Sequence, residues 1–195
     1  MTLRKQAEQE FARYLQHFPA EKEGLTALAS QLETDTADVV DRKNMRGHIT
    51  TSAFVIDLAA SPTPLALLIH HKLYALWLQP GGHYEGTVPL WQSALRETEE
   101  ETGAQNVQLH PWFDLHKAPF DIDSHAIAAQ PKKNEGPHIH HDFVYLLTAD
   151  STLPLTAQEE EVFDAKWFPL SELGNHNDVR FKRILHKMRQ QNIVT

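Results

Sequence analysis

Along the chain, the spacing of apolar residues changes from a helical to a strand-like period near residue 48. Before that point Leu3, Ala7, Phe11, Tyr14, Leu15 and Phe18 recur at three- and four-residue steps, so they share one face of a helix that Pro19 ends. Leu25, Leu28, Ala29 and Leu32 outline a second amphipathic helix, and a polar stretch over 33–38 leads to the charged segment Asp41-Arg42-Lys43. Two short helices bury little apolar surface by themselves. Residues 1–45 therefore read as a helical N-terminal extension packed against another element, and residues 46–195 as the main domain.

In that second part, Ile49–Asp57 is rich in Thr, Val, Ile and Phe and suits a strand. Ser61-Pro62-Thr63-Pro64 reads as a turn, and Leu65–His70 with Leu73–Leu78 as a hairpin around His71-Lys72. Gln79-Pro80-Gly81-Gly82 is expected to break the sheet. Pro89–Thr102 reads as a helix, with proline in its first turn and Gly103 just past its end. Further strands are expected at Val107–His116, Phe120–Ile127, Ile139–Thr148 and Val162–Phe168. A last helix over Asp178–Gln190 carries Phe181, Ile184, Leu185 and Met188 on one stripe. The pattern predicts an α+β fold with a mixed sheet and a helical N-terminal arm.

Composition narrows the chemistry. Acidic residues outnumber basic ones, 26 to 18, for a formal charge of −8 over 195 residues. Phosphate backbones are held mainly by Lys and Arg, so a large nucleic-acid footprint is not expected. A small phosphorylated substrate remains compatible, because a bound divalent cation reverses the local sign. There is no cysteine, which excludes disulfides, thiolate metal sites and thiol nucleophiles. The longest apolar runs, Leu65–Ile69 and Leu73–Leu78, are too short to cross a bilayer, and the first residues lack the apolar stretch of a signal peptide. A cytoplasmic protein without membrane attachment is the expectation. The amphipathic arm and last helix leave a homodimer open.

The chemistry concentrates in the helix after Pro89. Glu97, Glu100 and Glu101 stand at i, i+3 and i+4, so their carboxylates converge on one face. Like charges at this spacing cost about 0.2–0.5 kcal/mol per pair, and the helix dipole disfavours them near a C-terminus. A hard divalent cation such as Mg²⁺ or Mn²⁺, which takes oxygen ligands, accounts for the cluster; a solvated acidic face is the plainer alternative. Trp91, Leu95, Thr98 and Thr102 fall roughly opposite, toward a core. Arg96 is in reach of Glu100, and Gly81-Gly82 allows close backbone approach with a carbonyl as a further oxygen ligand.

A second grouping is of histidines, 13 of them and unevenly spread. Asp121, Asp123 and His125 alternate along one predicted strand, as do His138, His140 and Asp142 along the next, which puts each trio on one face. If these strands form a hairpin through Gln130–Gly136, six polar side chains share a patch. Histidine with carboxylate suits zinc or another transition metal, or a polar substrate. A hydrogen-bonded network that supports the sheet is the competing reading. His83 and His48 fit either a substrate pocket or a turn cap.

The stretch from Gly82 to Ala104 resembles the Nudix box, G-x5-E-x7-R-E-U-x-E-E-x-G-U with U apolar, in register at Gly82, Arg96, Glu97, Glu100, Glu101 and Gly103. Val88 replaces the first glutamate, and Thr98 and Ala104 replace larger apolar residues. Flanking stretches, among them Gly47–Ser52, Trp77–His83, Asp121–His125, His138–Asp142 and Trp167–Leu173, extend the resemblance over about residues 45–175, toward a less-characterised bacterial subgroup. The resemblance implies an α/β/α sandwich and hydrolysis of a nucleoside diphosphate linked to another moiety, with Mg²⁺ or Mn²⁺ as cofactor. By position, it implies Glu97 and Glu101 as main metal ligands, Glu100 as ligand or base, and the Gly81 carbonyl assisting. Glu85 is placed to substitute in part for the glutamate missing at Val88, and a late-loop acid is expected from Glu159, Glu160 or Glu161. A Nudix domain that binds a nucleotide without cleaving it is the alternative that Val88 favours.

Overall fold

The computed structural model describes residues 2–85, 88–131, 134–175 and 178–194. Gly86 and Thr87 of the box lie outside them, as do Lys132 and Lys133 of the stretch 130–136. The central strand is β1 (His48–Asp57), every residue of which is buried. Such continuous burial is what a strand covered on both faces requires. On one edge β1 runs parallel to β7 (His138–Thr148), from His48 opposite His140 to Ile56 opposite Thr148. On its other edge it pairs antiparallel with β2 (Leu65–His71) at one end and with β4 (Gly81–His83) at the other. β2 also pairs with β3 (Leu76–Leu78) and β8 (Val162–Pro169). β7 pairs with β5 (Gln108–Leu109) and β6 (Asp121–Ile127). The result is a mixed sheet of eight strands among the described residues, with helices packed on it, as the α+β expectation holds.

The N-terminal helices α1 (Leu3–His17) and α2 (Thr26–Thr34) send Phe11, Tyr14, Leu28 and Leu32 into the same apolar core as Ile49, Phe54 and Phe120. A buried polar knot fastens this arm to the last helix, α5 (Val179–Gln190). Lys187, 2% exposed, donates to Tyr14 and Asp121, each at 2.5 Å, and pairs with Glu21 at 2.8 Å. Tyr145 on β7 likewise donates to Glu10 of α1 at 2.5 Å.

Three local expectations need correction. The segment Val107–His116 is not one strand: β5 is only two residues long, and α4 (Pro111–His116) follows. Pro111 occupies a first-turn position, where its missing N–H costs nothing, and the His110 ring accepts from the Trp112 amide at 3.2 Å as a cap. Gly81-Gly82 does not break the sheet but begins β4. A Cβ at Gly81 would lie 2.4 Å from that of Ser52, so only glycine lets this strand approach β1. Finally, β3 starts at Leu76 rather than Leu73, the intervening residues forming the turn.

Candidate active site

Helix α3 (Leu90–Thr102) carries the acidic face. Pro89 precedes it, and Gly103 ends it in the left-handed conformation, φ 64°. A Cβ at Gly103 would meet Thr156 at 2.9 Å, so this turn needs glycine twice over. The face toward the sheet is built from Leu90, Ser93, Ala94, Thr98 and Thr102, with Thr51 of β1 donating to Ser93 at 3.1 Å. Thr98, which departs from the apolar pattern, is accommodated because its hydroxyl donates to the Ala94 carbonyl at 2.9 Å. Trp91 and Leu95, expected on the core side with Thr98 and Thr102, are partly buried and pack against the core.

Glu101 is the deepest of the three glutamates, 4% exposed. Its Oε2 accepts the backbone N–H of Gly81 at 2.8 Å. Burial first, and then the charges of Glu97, Glu161 and Glu100, push its carboxyl up to about 8, against the pull of the Gly81 amide. Glu97 lies beside Gly82: a Cβ there would come within 2.9 Å of Glu97 Oε2. Its carboxyl is also raised, mainly by burial, and partly offset by Arg96. Arg96 bridges the cluster, donating to Glu97 Oε1 and to Glu100 Oε2, both at 2.6 Å. Glu100 is the outer member, with a side chain 55% exposed. Two inward carboxylates held near backbone, with raised affinity for a proton, are also primed for a divalent cation.

The surroundings sort the remaining candidates. Glu85 is exposed, but its charge acts on Glu97, so it lies near the cluster. Val88 packs against the apolar core, and its carbonyl accepts from the Tyr84 hydroxyl at 2.7 Å. The late loop is fastened to the end of α3 by Thr156 N–H to Thr102 O, 2.8 Å, and Gln158 N–H to Glu101 O, 3.0 Å. Of Glu159, Glu160 and Glu161, all exposed, Glu161 is the one whose charge raises the Glu101 carboxyl.

On the other side of β4 the histidines gather. The β6–β7 hairpin sets His125 opposite His140 and Asp123 opposite Asp142. The three carboxylates already have partners, Asp123 accepting from His125 within the group at 2.9 Å. Arg183 donates to Asp121 at 2.6 Å and to Asp123 at 3.0 Å. Asp142 accepts from Thr50 and Ser52, at 3.1 and 2.6 Å, and burial raises its carboxyl. His141, on the opposite face, is satisfied by Ser124 and Gln31. The rings of His48, His83 and His140 converge, with His138 alongside. The signal that His48 belongs with them is the period-two polar face His48, Thr50, Ser52, whose first two members stand opposite His140 and Asp142 in the parallel pairing.

A mixed sheet whose glycine-bearing strand meets an acidic helix is an arrangement that comparison with known proteins identifies. The family model described as NUDIX domain matches residues 48–187, and the chain belongs to the Nudix family. It is 26% identical over 137 residues to Nudix hydrolase 6 of Arabidopsis thaliana, covering 68% of this chain and 42% of that protein. It is 30% identical over 117 residues to phosphatase NudJ of Escherichia coli K12, covering 53% of this chain and 76% of that one. The chain thus spans less than half of the length of the Arabidopsis relative. Among solved structures it is similar to an Ap4A hydrolase of Caenorhabditis elegans, with a TM-score of 0.54, 16% identity and coverage of 74% and 97%. It is also similar to a NUDIX-family hydrolase of Clostridium perfringens, with a TM-score of 0.51, 23% identity and coverage of 78% and 99%. These likenesses show the fold. No helix among the described residues is long and apolar enough to cross a membrane.

Proposed function

We propose that the protein hydrolyses a diphosphate bond in a small nucleoside diphosphate linked to another moiety, with Mg²⁺ or Mn²⁺ as cofactor. The observation that carries this is the pairing of the buried Glu101 and the half-buried Glu97 against the glycines of β4. Their all-oxygen donor set fits a hard cation. Glu97 and Glu101 would hold it, with Glu100 and the Gly81 carbonyl assisting and Glu85 in support. Such an ion, when bound, supplies charge neutralisation for the diphosphate and a polarised water.

The chain's own residues do the rest. The Gly81 amide fixes Glu101 through Oε2 and leaves Oε1 as the oxygen that carries a proton or faces a ligand. Arg96 sets the angle between Glu97 and Glu100 by bonding an oxygen of each. Glu100 and Glu161 are the acceptors proposed for the proton of the attacking water, Glu100 through the oxygen that Arg96 leaves free. Residues 46–195 are taken as the unit that carries the chemistry, with 1–45 as a packed extension.

Val88 supports a second reading, a nucleotide sensor, since an apolar residue set against the core supplies no ligand. Incubation with nucleotide sugars, dinucleoside polyphosphates, NADH, ADP-ribose and nucleoside triphosphates plus Mg²⁺ or Mn²⁺ separates the two. A hydrolase releases a nucleoside monophosphate and a second phosphorylated product, and stops in EDTA. A sensor gives heat of binding in calorimetry with no product.

A further inference from the structure

We propose that His48, His83 and His140 form a second, nitrogen-ligated site for a divalent transition-metal ion, Zn²⁺ in the simplest case, back to back with the glutamate site across β4. One ring nitrogen from each lies within 4.8 Å of the other two. They come from three strands, β1, β4 and β7, so the grouping is a product of the tertiary fold rather than of local sequence.

The second observation is His48 itself. It is 1% exposed, and its Nε2 makes no hydrogen bond among the described residues. A buried polar atom left without a partner costs roughly 1–3 kcal/mol, which an ion at that nitrogen removes. Its Nδ1 lies 3.3 Å from the Asn44 carbonyl. A carbonyl only accepts, so the proton sits on Nδ1 and Nε2 presents its lone pair. His138 repeats the arrangement, with Nδ1 2.8 Å from the Gly136 carbonyl. Its Nε2 is in hydrogen-bond contact with that of His140 at 3.0 Å, so His138 supports a ligand rather than joining the three. An outer carbonyl that fixes the tautomer and aims the other nitrogen inward is the usual support of a metal-bound histidine.

The donor type selects the ion. Imidazole nitrogens suit zinc and other late transition metals and are poor ligands for Mg²⁺, so the two sites sort ions by donor type. The negative charge of Asp123 reaches the group through His125, at 2.9 Å. An ion there would tie the three-residue strand β4 to β1 and β7, and so brace Gly81 and Gly82 where they meet the glutamates. The proposal does not depend on the hydrolase reading, since the site stands on the opposite side of β4.

The test is a Co²⁺ titration of the full chain after removal of metals with a chelator, followed by the visible absorption of tetrahedral cobalt. One ion per chain is expected to give that band, to be displaced by Zn²⁺, and to be kept in the Glu97→Gln/Glu101→Gln variant. His83→Ala, at a half-buried position, is expected to weaken binding by more than about 100-fold while the far-ultraviolet circular dichroism is unchanged. His140→Ala is the second ligand variant, with the same loss expected in whatever fraction folds. No tetrahedral band, a band unaffected in folded His83→Ala, or a band lost only in the glutamate variant would overturn the proposal.

Discussion

The amide of Gly81 donates to Oε2 of Glu101 at 2.8 Å, which joins the first residue of β4 to the last turn of α3 at the most buried carboxylate of the site. Both partners are constrained: Gly81 by its approach to Ser52, Glu101 by burial under the late loop. The position of the deepest carboxylate is therefore set by backbone, not by a mobile side chain.

Replacing Gly81 by alanine tests that constraint. The added Cβ would meet Ser52 Cβ at 2.4 Å and the Thr51 carbonyl at 2.6 Å, so β4 must move. The expected outcome is a loss of about 1–3 kcal/mol in stability, with a larger proportional fall in turnover than a surface alanine substitution gives. Chemical denaturation read beside the rate checks both.

Arg96 separates charge from geometry. Lysine keeps the charge but has no planar fork, so it does not span Glu97 and Glu100 together. Arg96→Lys is expected to lower apparent Mg²⁺ or Mn²⁺ affinity by roughly 10–100-fold with the fold intact. Calorimetric titration with Mn²⁺ is the measurement.

The pH dependence follows from Glu101. Its carboxyl stands at about 8 in the folded protein, against an ordinary value of 4.5. In metal-free protein the contribution of this group to stability is whole below about pH 4.5 and is lost as pH rises through 8, because the unfolded chain releases the proton first. Cation binding needs the ionised form, so apparent Mg²⁺ affinity is expected to climb with pH and level off above about 8. Glu101→Gln removes the titration. In EDTA near pH 8 it is expected to melt above the wild type, by about 2–4 °C for each kcal/mol recovered. Thermal melts across that pH range check the sign.

Lys187 tests the fastening of the N-terminal arm. Lys187→Met leaves Tyr14 and Glu21 without their buried cation, although Asp121 keeps Arg183. A loss of roughly 3 kcal/mol is expected. Limited proteolysis is expected to cut first near the arm, within about residues 1–45.

The parts of this fold that could be read from the chain are those whose cause is local. The i, i+3, i+4 spacing of Glu97, Glu100 and Glu101, and the glycine after Thr102, report a helix and its end within a few residues. What escaped depends on distant partners. Gly81-Gly82 looks like a breaker until Ser52 is known to lie beneath it. His48 has no local reason to be a ligand; it becomes one candidate of three because β1 runs parallel to β7 and meets His140. Asp121 and Asp123 share a face with His125, yet Arg183 and Lys187 of the last helix engage them, which strand alternation alone does not reveal. At His110-Pro111, proline fits either a strand end or a helix start, and the ring of His110 decides for the helix.

Release of phosphorylated product from a nucleotide-diphosphate substrate, followed for the wild type and Glu101→Gln side by side in Mg²⁺, tests the central claim most directly. Glu101→Gln is expected to fold and to lose activity by about 1000-fold or more, the effect of removing a group that stabilises the transition state. Equal rates for the two proteins would contradict the assignment of this carboxylate as the core of the site.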